Sequence, residues 1–114
     1  MTPRSYCRVA MERKGFAHID SDLARALDLL GERWTLLIVQ TIRDGHVRFE
    51  ALREELGIAR NILASRLEDL VGAGVIERRA YNERPPRDEY HLTESGHDLS
   101  LSLDHLAQWG KKWI

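Results

Sequence analysis

Residues 49–70 read FEALREELGIARNILASRLEDL. Apolar residues recur at helical spacing on both sides of one glycine: Phe49, Leu52 and Leu56 before Gly57, then Leu63, Leu67 and Leu70 after it. Two amphipathic helices joined by a few residues, with glycine in the turn, make a helix-turn-helix. On a wheel at about 100° per residue, Leu63, Leu67 and Leu70 face inward. Asn61 and Ser65 lie nearly opposite, with Glu68 and Gly72 beside them, and Arg60, Ile62 and Arg66 lie on the flanks. In such a unit the second helix enters the DNA major groove by its N-terminal residues. An amide, a hydroxyl and two guanidiniums are groups that read adenine, phosphate and guanine. Any surface helix also carries polar residues outside, so the wheel alone does not decide.

The flanking sequence does. Upstream, Leu23, Leu27 and Leu30 form one apolar stripe, with Ser21 as N-cap and Gly31 as stop. Trp34, Leu37, Ile38 and Ile42 form another, ended by Asp44-Gly45. Downstream, residues 75–81 and 87–92 read as short strands around a loop at 82–86, which holds Arg84-Pro85-Pro86. Two prolines with fixed φ stiffen that loop and aim Arg84 and Arg87 outward, onto a phosphate ridge or into a minor groove. Thr93 caps a last helix bearing Leu99, Leu103, Leu106 and Trp113, widened by Leu101, Trp109 and Ile114. The order is four helices, a hairpin and a helix. It predicts a mainly α (α+β) winged helix-turn-helix over residues 21–114, with a two-stranded wing and a C-terminal dimerisation helix, after an arm at 1–20.

With these elements in register, the sequence resembles the HxlR-type winged-helix transcription regulators, relatives of the MarR-like repressors. Three stretches carry the likeness: Ala24-Arg25-Ala26-Leu27-Asp28 running into Leu30-Gly31-Glu32-Arg33-Trp34-Thr35-Leu36-Leu37-Ile38; Leu56-Gly57-Ile58-Ala59-Arg60-Asn61-Ile62-Leu63 with Arg66-Leu67; and Arg84-Pro85-Pro86-Arg87 followed by Glu89-Tyr90, Leu92-Thr93 and Gly96. The resemblance covers about residues 16–114. It implies a homodimer that binds a pseudo-palindromic operator in double-stranded DNA. The expected DNA contacts are Arg48, Arg60, Asn61, Ile62, Ser65, Arg66, Arg84 and Arg87. In the related regulators the first and last helices form the dimer, which here implies Leu23, Leu99, Leu103, Leu106, Trp109 and Trp113. Trp34 is expected in the core, or walling a ligand cavity near the dimer seam where a small-molecule effector would act.

Many members of that family carry a cysteine at the start of the first helix, in several a redox or electrophile sensor. Here Ser21 stands at that position, and it cannot form a thiolate. The single cysteine, Cys7, lies in the arm between Arg4 and Arg8. It reads as an ordinary thiol, or as a sensor acting through an intermolecular bond.

Composition bounds the remainder. The 114 residues are 31% charged and 43% hydrophobic, which fits one folded domain. The absence of a long apolar run and of a signal segment leads to the expectation of a cytoplasmic protein away from membranes. A net charge of −1 counts mildly against a globally basic nucleic-acid binder. It keeps open a winged helix that contacts only protein. The basic residues nevertheless cluster, as Arg4, Arg8, Arg13 and Lys14 and as Arg78, Arg79, Arg84 and Arg87. Catalytic motifs are missing: His18, His46, His91, His97 and His105 form no zinc-binding pair with an intervening glutamate, and there is no phosphate loop or nucleophile elbow. No enzyme activity, metal or cofactor is expected.

Overall fold

The computed structural model describes residues 18–114. Cys7 and the basic cluster of the arm lie outside them. Among the described residues the elements run α1 (Asp22–Leu30), α2 (Thr35–Arg43), α3 (Phe49–Leu56), α4 (Arg60–Gly72), β1 (Ile76–Glu83), β2 (Pro86–Leu92) and α5 (Glu94–Trp113). The two strands form one antiparallel sheet. This is the winged helix-turn-helix order.

Leu63, Leu67 and Leu70 of α4 are fully buried and sit at the centre of the core with Ile38, Val39, Leu52, Ile58 and Ile76. Burying a Leu or Ile side chain contributes roughly 1.5–3 kcal/mol, so this stripe anchors α4 against the other elements. Gly57 ends α3 with φ of 66°. Only glycine takes that left-handed conformation without strain, and it lets α4 start after a short turn.

The first helix departs from expectation. Its cap is as read: the Ser21 hydroxyl accepts from the Ala24 amide at 2.9 Å. Its buried residues, however, are Ala24, Asp28 and Leu29, while Leu23 and Leu27 face outward. The nine-residue helix carries two apolar rows, and periodicity cannot choose which one meets α2. In α2, Leu37 is likewise exposed, while Trp34 is half-buried against the core.

The wing is longer and its loop shorter than the sequence suggests. Asn82, Glu83 and Pro86 belong to the strands, which pair from Ile76 with Leu92 to Glu83 with Pro86 and are interrupted by a bulge at Tyr81. Only Arg84 and Pro85, joined by a cis peptide bond, form the turn. Pro86 fits because the first residue of a strand need not donate to the ladder. The Tyr90 amide donates to the Val47 carbonyl at 2.7 Å, and Arg48 bridges to Glu89. The wing is thereby stitched to the residues that open α3.

Two fastenings hold α5. Thr93 caps it, accepting from the Gly96 amide at 3.3 Å, while its hydroxyl lies 3.0 Å from the Val75 carbonyl. Arg43 reaches from α2 to the Ser100 carbonyl and to Asp104, each at 3.0 Å. Accordingly Gly96, Ser100 and Leu103 are buried, and Leu99 packs against the core. Leu99 and Leu103 therefore serve the chain's own core first. Beyond them Leu106, Trp109 and Trp113 are 56%, 58% and 67% exposed. No helix among the described residues is long and apolar enough to cross a membrane.

Gly96 has no room for a side chain. A β-carbon there would press on the Val75 carbonyl and come within 3.1 Å of the Leu92 β-carbon. Gly96→Ala is expected to destabilise the domain by about 1–3 kcal/mol, lowering Tm by about 4–8 °C for each kcal/mol. Thermal unfolding followed by circular dichroism checks this; an unchanged Tm would show that α5 shifts freely.

Candidate nucleic-acid interface

The outer face of α4 is formed by Asn61, Ala64, Ser65 and Glu68, all exposed. This follows from the burial of Leu63, Leu67 and Leu70 on the opposite side. Ile62 does not join that face; it is half-buried against the core.

Arg66 does not join it either. Its side chain is 24% exposed and turned back, with Nε 3.2 Å from Glu32 Oε2 and Nη1 3.3 Å from Asp69 Oδ2. Glu32 in turn accepts from the Trp34 amide at 2.8 Å and the Thr35 hydroxyl at 3.1 Å, at the entry to α2. Arg66 and Glu32 thus lock α4 to the corner between α1 and α2. Burial works against ionising Glu32, but the Trp34 amide, the Arg66 guanidinium and the Thr35 hydroxyl outweigh it and hold the carboxyl below its ordinary value.

Arg48 and Arg60 stand where α3 and α4 begin. The Arg48 guanidinium lies 3.9 Å from the Tyr81 ring centre, with Nε 3.2 Å from Glu89. Arg60 Nη1 lies 2.6 Å from Glu50 Oε2, and its guanidinium is 5.6 Å from the Phe49 ring centre. Glu50 also pairs with Arg53 at 3.2 Å. Its carboxyl is held low by Arg60 first and then Arg53; that of Glu89 is held low by His91 and, against some desolvation, by Arg48.

At the tip of the wing Arg84 and Arg87 are exposed. Arg87 donates to the neighbouring Pro86 carbonyl at 3.3 Å, and neither arginine pairs with a carboxylate among the described residues. Of the acidic residues nearby, Glu89 holds Arg48 and His91. Of the other two arginines on the wing, Arg78 pairs with Glu68 and Arg79 with Glu77.

These residues meet. A cleft of about 650 Å³ between the start of α3 and the wing is lined by Arg48, Arg60 and Arg87, by Glu50, Glu54 and Asp88, and by Phe49, Tyr81 and Tyr90. Neither Arg48 nor Ala59, the residues that open α3 and α4, caps its helix with a side chain, whereas Ser21 and Thr93 cap α1 and α5. Both helices of the pair therefore present uncapped amides, groups that suit phosphate oxygens. Sequence reasoning missed Glu50, Tyr81 and Glu32. Arg48 and Glu89 are 41 residues apart, and no local pattern marks such a contact. On α5, His97 and His105 are joined by no third residue that would complete a metal site among the described residues.

A family model for HxlR-like helix-turn-helix proteins matches residues 29–114. An uncharacterized HTH-type transcriptional regulator of Mycobacterium tuberculosis is 47% identical over 92 residues, which cover 81% of this chain. The matched part spans only 58% of the length of that relative. The uncharacterized HTH-type transcriptional regulator YvaP of Bacillus subtilis is 35% identical over 91 residues, covering 79% of this chain and 84% of that protein. Among solved structures, the reduced form of the B. subtilis transcriptional regulator YodB superposes with a TM-score of 0.71 at 31% identity, over 84% of this chain and 95% of that one. The reduced redox regulator HypR superposes at 0.74 and 30% identity, over 81% and 92%.

The Glu32 lock has a pH signature. A carboxyl whose folded value is depressed stabilises the fold above its unfolded value, and that contribution is lost as pH falls through the folded one. Glu32→Gln is expected to cost about 1.5–3 kcal/mol at neutral pH, the range for hydrogen bonds to a charged group. The gap from wild type should close as pH falls below the ordinary glutamate value of 4.5. Urea unfolding of both proteins across that range measures it; a gap independent of pH would remove the ionised carboxylate from the lock.

Proposed function

Because the chain belongs to the HxlR-like helix-turn-helix family, we propose that it is a transcriptional regulator that binds double-stranded DNA through α4 and the wing. One observation carries the reading: Arg60, at the start of α4, and Arg87, on the wing, line the same cleft. In this reading α4 lies in the major groove. Asn61 suits adenine, the Ser65 hydroxyl suits a base edge or phosphate, and the Ala64 methyl suits thymine. Arg84 and Arg87 meet the flanking backbone or minor groove. Arg66 is left out of the contact set, being held by Glu32 and Asp69, and so is the half-buried Ile62.

The active form is a homodimer on a pseudo-palindromic site, built through the bare half of α5 and the outward face of α1. Leu106, Trp109, Trp113 and Leu23 offer the apolar surface. An apolar groove of about 270 Å³ between α2 and α5, lined by Leu36, Leu37, Leu103 and Leu106, continues it. Exposed apolar surface of this extent marks an interface. The protein works where the chromosome is, in the cytoplasm of a bacterial-type cell.

Arg84→Ala or Arg87→Ala is expected to weaken binding to all sequences alike and to flatten the salt dependence by about one unit for each phosphate no longer neutralised. Asn61→Ala is expected instead to relax base preference by about 1–3 kcal/mol at the position it reads. Titrations at several salt concentrations against a selected and a mixed-sequence duplex separate the two classes. A wing variant with unchanged affinity and slope removes the wing from the interface, and a wild type that binds no duplex favours a winged helix used for protein contacts.

Replacing both Trp109 and Trp113 by Ala is expected to give monomers in sedimentation experiments at micromolar concentration, since buried aromatics dominate interface energy. A wild-type monomer under those conditions would overturn the dimer.

A further inference from the structure

We infer that Glu50 sets how sharply this chain discriminates between DNA sequences, by holding Arg60 off the phosphate backbone except where a matched site draws it across. The inference rests on the reading of α4 and the wing as the DNA-facing elements.

Arg60 is the first residue of α4, and its guanidinium is folded back onto the first turn of α3. There it pairs with Glu50 at 2.6 Å and lies along the Phe49 ring. Glu50 itself bonds only to Arg60 and Arg53 among the described residues, and its side chain is 55% exposed. It satisfies no buried group and joins no distant elements beyond these two helices. The other arginine that opens a helix differs in this respect. The carboxylate that pairs with Arg48 belongs to Glu89, whose backbone also bridges to Arg48 and attaches the wing. Glu50 is the one carboxylate of the two whose pairing the fold does not need.

An exposed ion pair of this kind contributes little stability, so exchanging the carboxylate for a well-placed phosphate costs little. A guanidinium–phosphate pair is the stronger when both oxygens can be met in plane. On a poorly fitted duplex the phosphate does not reach that geometry, and the Glu50 carboxylate repels it. The cleft as a whole holds three arginines against Glu50, Glu54 and Asp88. It therefore attracts phosphate weakly until a pair is exchanged. The result is low affinity for DNA at large, with Arg60 contributing only at a matched site.

The test compares wild type, Glu50→Gln, Arg60→Ala and the double variant, each first shown by circular dichroism to melt as a folded domain. Two probes are titrated by fluorescence anisotropy across a range of salt: a mixed-sequence duplex, and the duplex that the wild-type protein selects from a random library. Glu50→Gln is expected to bind the mixed duplex about 3- to 10-fold more tightly, with a salt slope steeper by about 0.9, one phosphate. Its gain on the selected duplex should be smaller, so the ratio between the two falls. In the Arg60→Ala background the gain should vanish. An equal gain on both duplexes, or a gain that survives Arg60→Ala, overturns the inference, because the effect would then be general loss of negative charge. A wild type that selects no sequence and binds neither probe overturns the DNA-binding reading, and the role of Glu50 with it.

Discussion

The backbone bond from the Tyr90 amide to the Val47 carbonyl, 2.7 Å long, is the constraint on which the rest of the surface depends. A two-stranded hairpin is marginally stable alone, and β1 and β2 expose most of their residues. Pairing Val47 and Arg48 with β2 gives the hairpin a third short partner. The same residues open α3, so the start of the helix pair and the base of the wing are one rigid joint. Arg48 reinforces it, stacked on Tyr81 and paired with Glu89. The bulge at Tyr81 re-aims one side chain of β1, a common use of a bulge. Here the re-aimed ring meets the guanidinium.

A second lock fixes α4 from behind. Arg66 could be read as a groove-facing residue on any wheel, yet it lies over the α1–α2 corner and meets Glu32 and Asp69. Glu32 also accepts from the Trp34 amide and the Thr35 hydroxyl at the entry to α2. One carboxylate thus ties the entry of α2 to the flank of α4. Removing a partner from such a half-buried pair leaves the other charge poorly solvated, which is why these pairs resist change more than exposed ones. The orientation of α4 is held by charge on one flank and by Leu63, Leu67 and Leu70 along its base.

The parts of the fold legible in the sequence are those written in local periodicity. The leucine stripe of α4, Gly57 in the turn, the Ser21 and Thr93 caps, and the proline-marked wing each depend on residues within a turn or two of one another. Asn61 and Ser65 fall on the exposed face for the same reason. What was not legible depends on choices between near-equal alternatives or on distant partners. Helix α1 has two apolar rows, and only its packing on α2 selects Ala24 and Leu29 over Leu23 and Leu27. Arg66 lies on the flank of its helix, where different rotamers lead either to solvent or to Glu32. The cleft needs α3, α4 and the wing brought together before its three arginines and three carboxylates become neighbours. The near-zero net charge of the sequence hides that arrangement, because balanced charge in a total does not reveal balance at one site.

Helix α5 is held over its first half and bare over its second. Twenty residues of helix extend about 30 Å, further than the core of so small a domain can cover. The Thr93 cap, the close seat of Gly96 and the Arg43 tether all act on the residues up to Asp104. Past that point the helix carries Leu106, Trp109 and Trp113, exposed on a segment that nothing among the described residues buries. Isolated helices of about ten residues are marginal in water, and this segment is continued by its fastened half rather than stabilised by packing. Lys111 and Lys112 in its last turn complement the helix dipole, which favours an end that stays helical and solvated at its polar edge. A segment that is already helical loses less conformational freedom when a surface covers it than one that must fold there. The same feature that leaves the helix half unpacked in the single chain therefore suits it to the proposed dimer, in which a second copy would cover it.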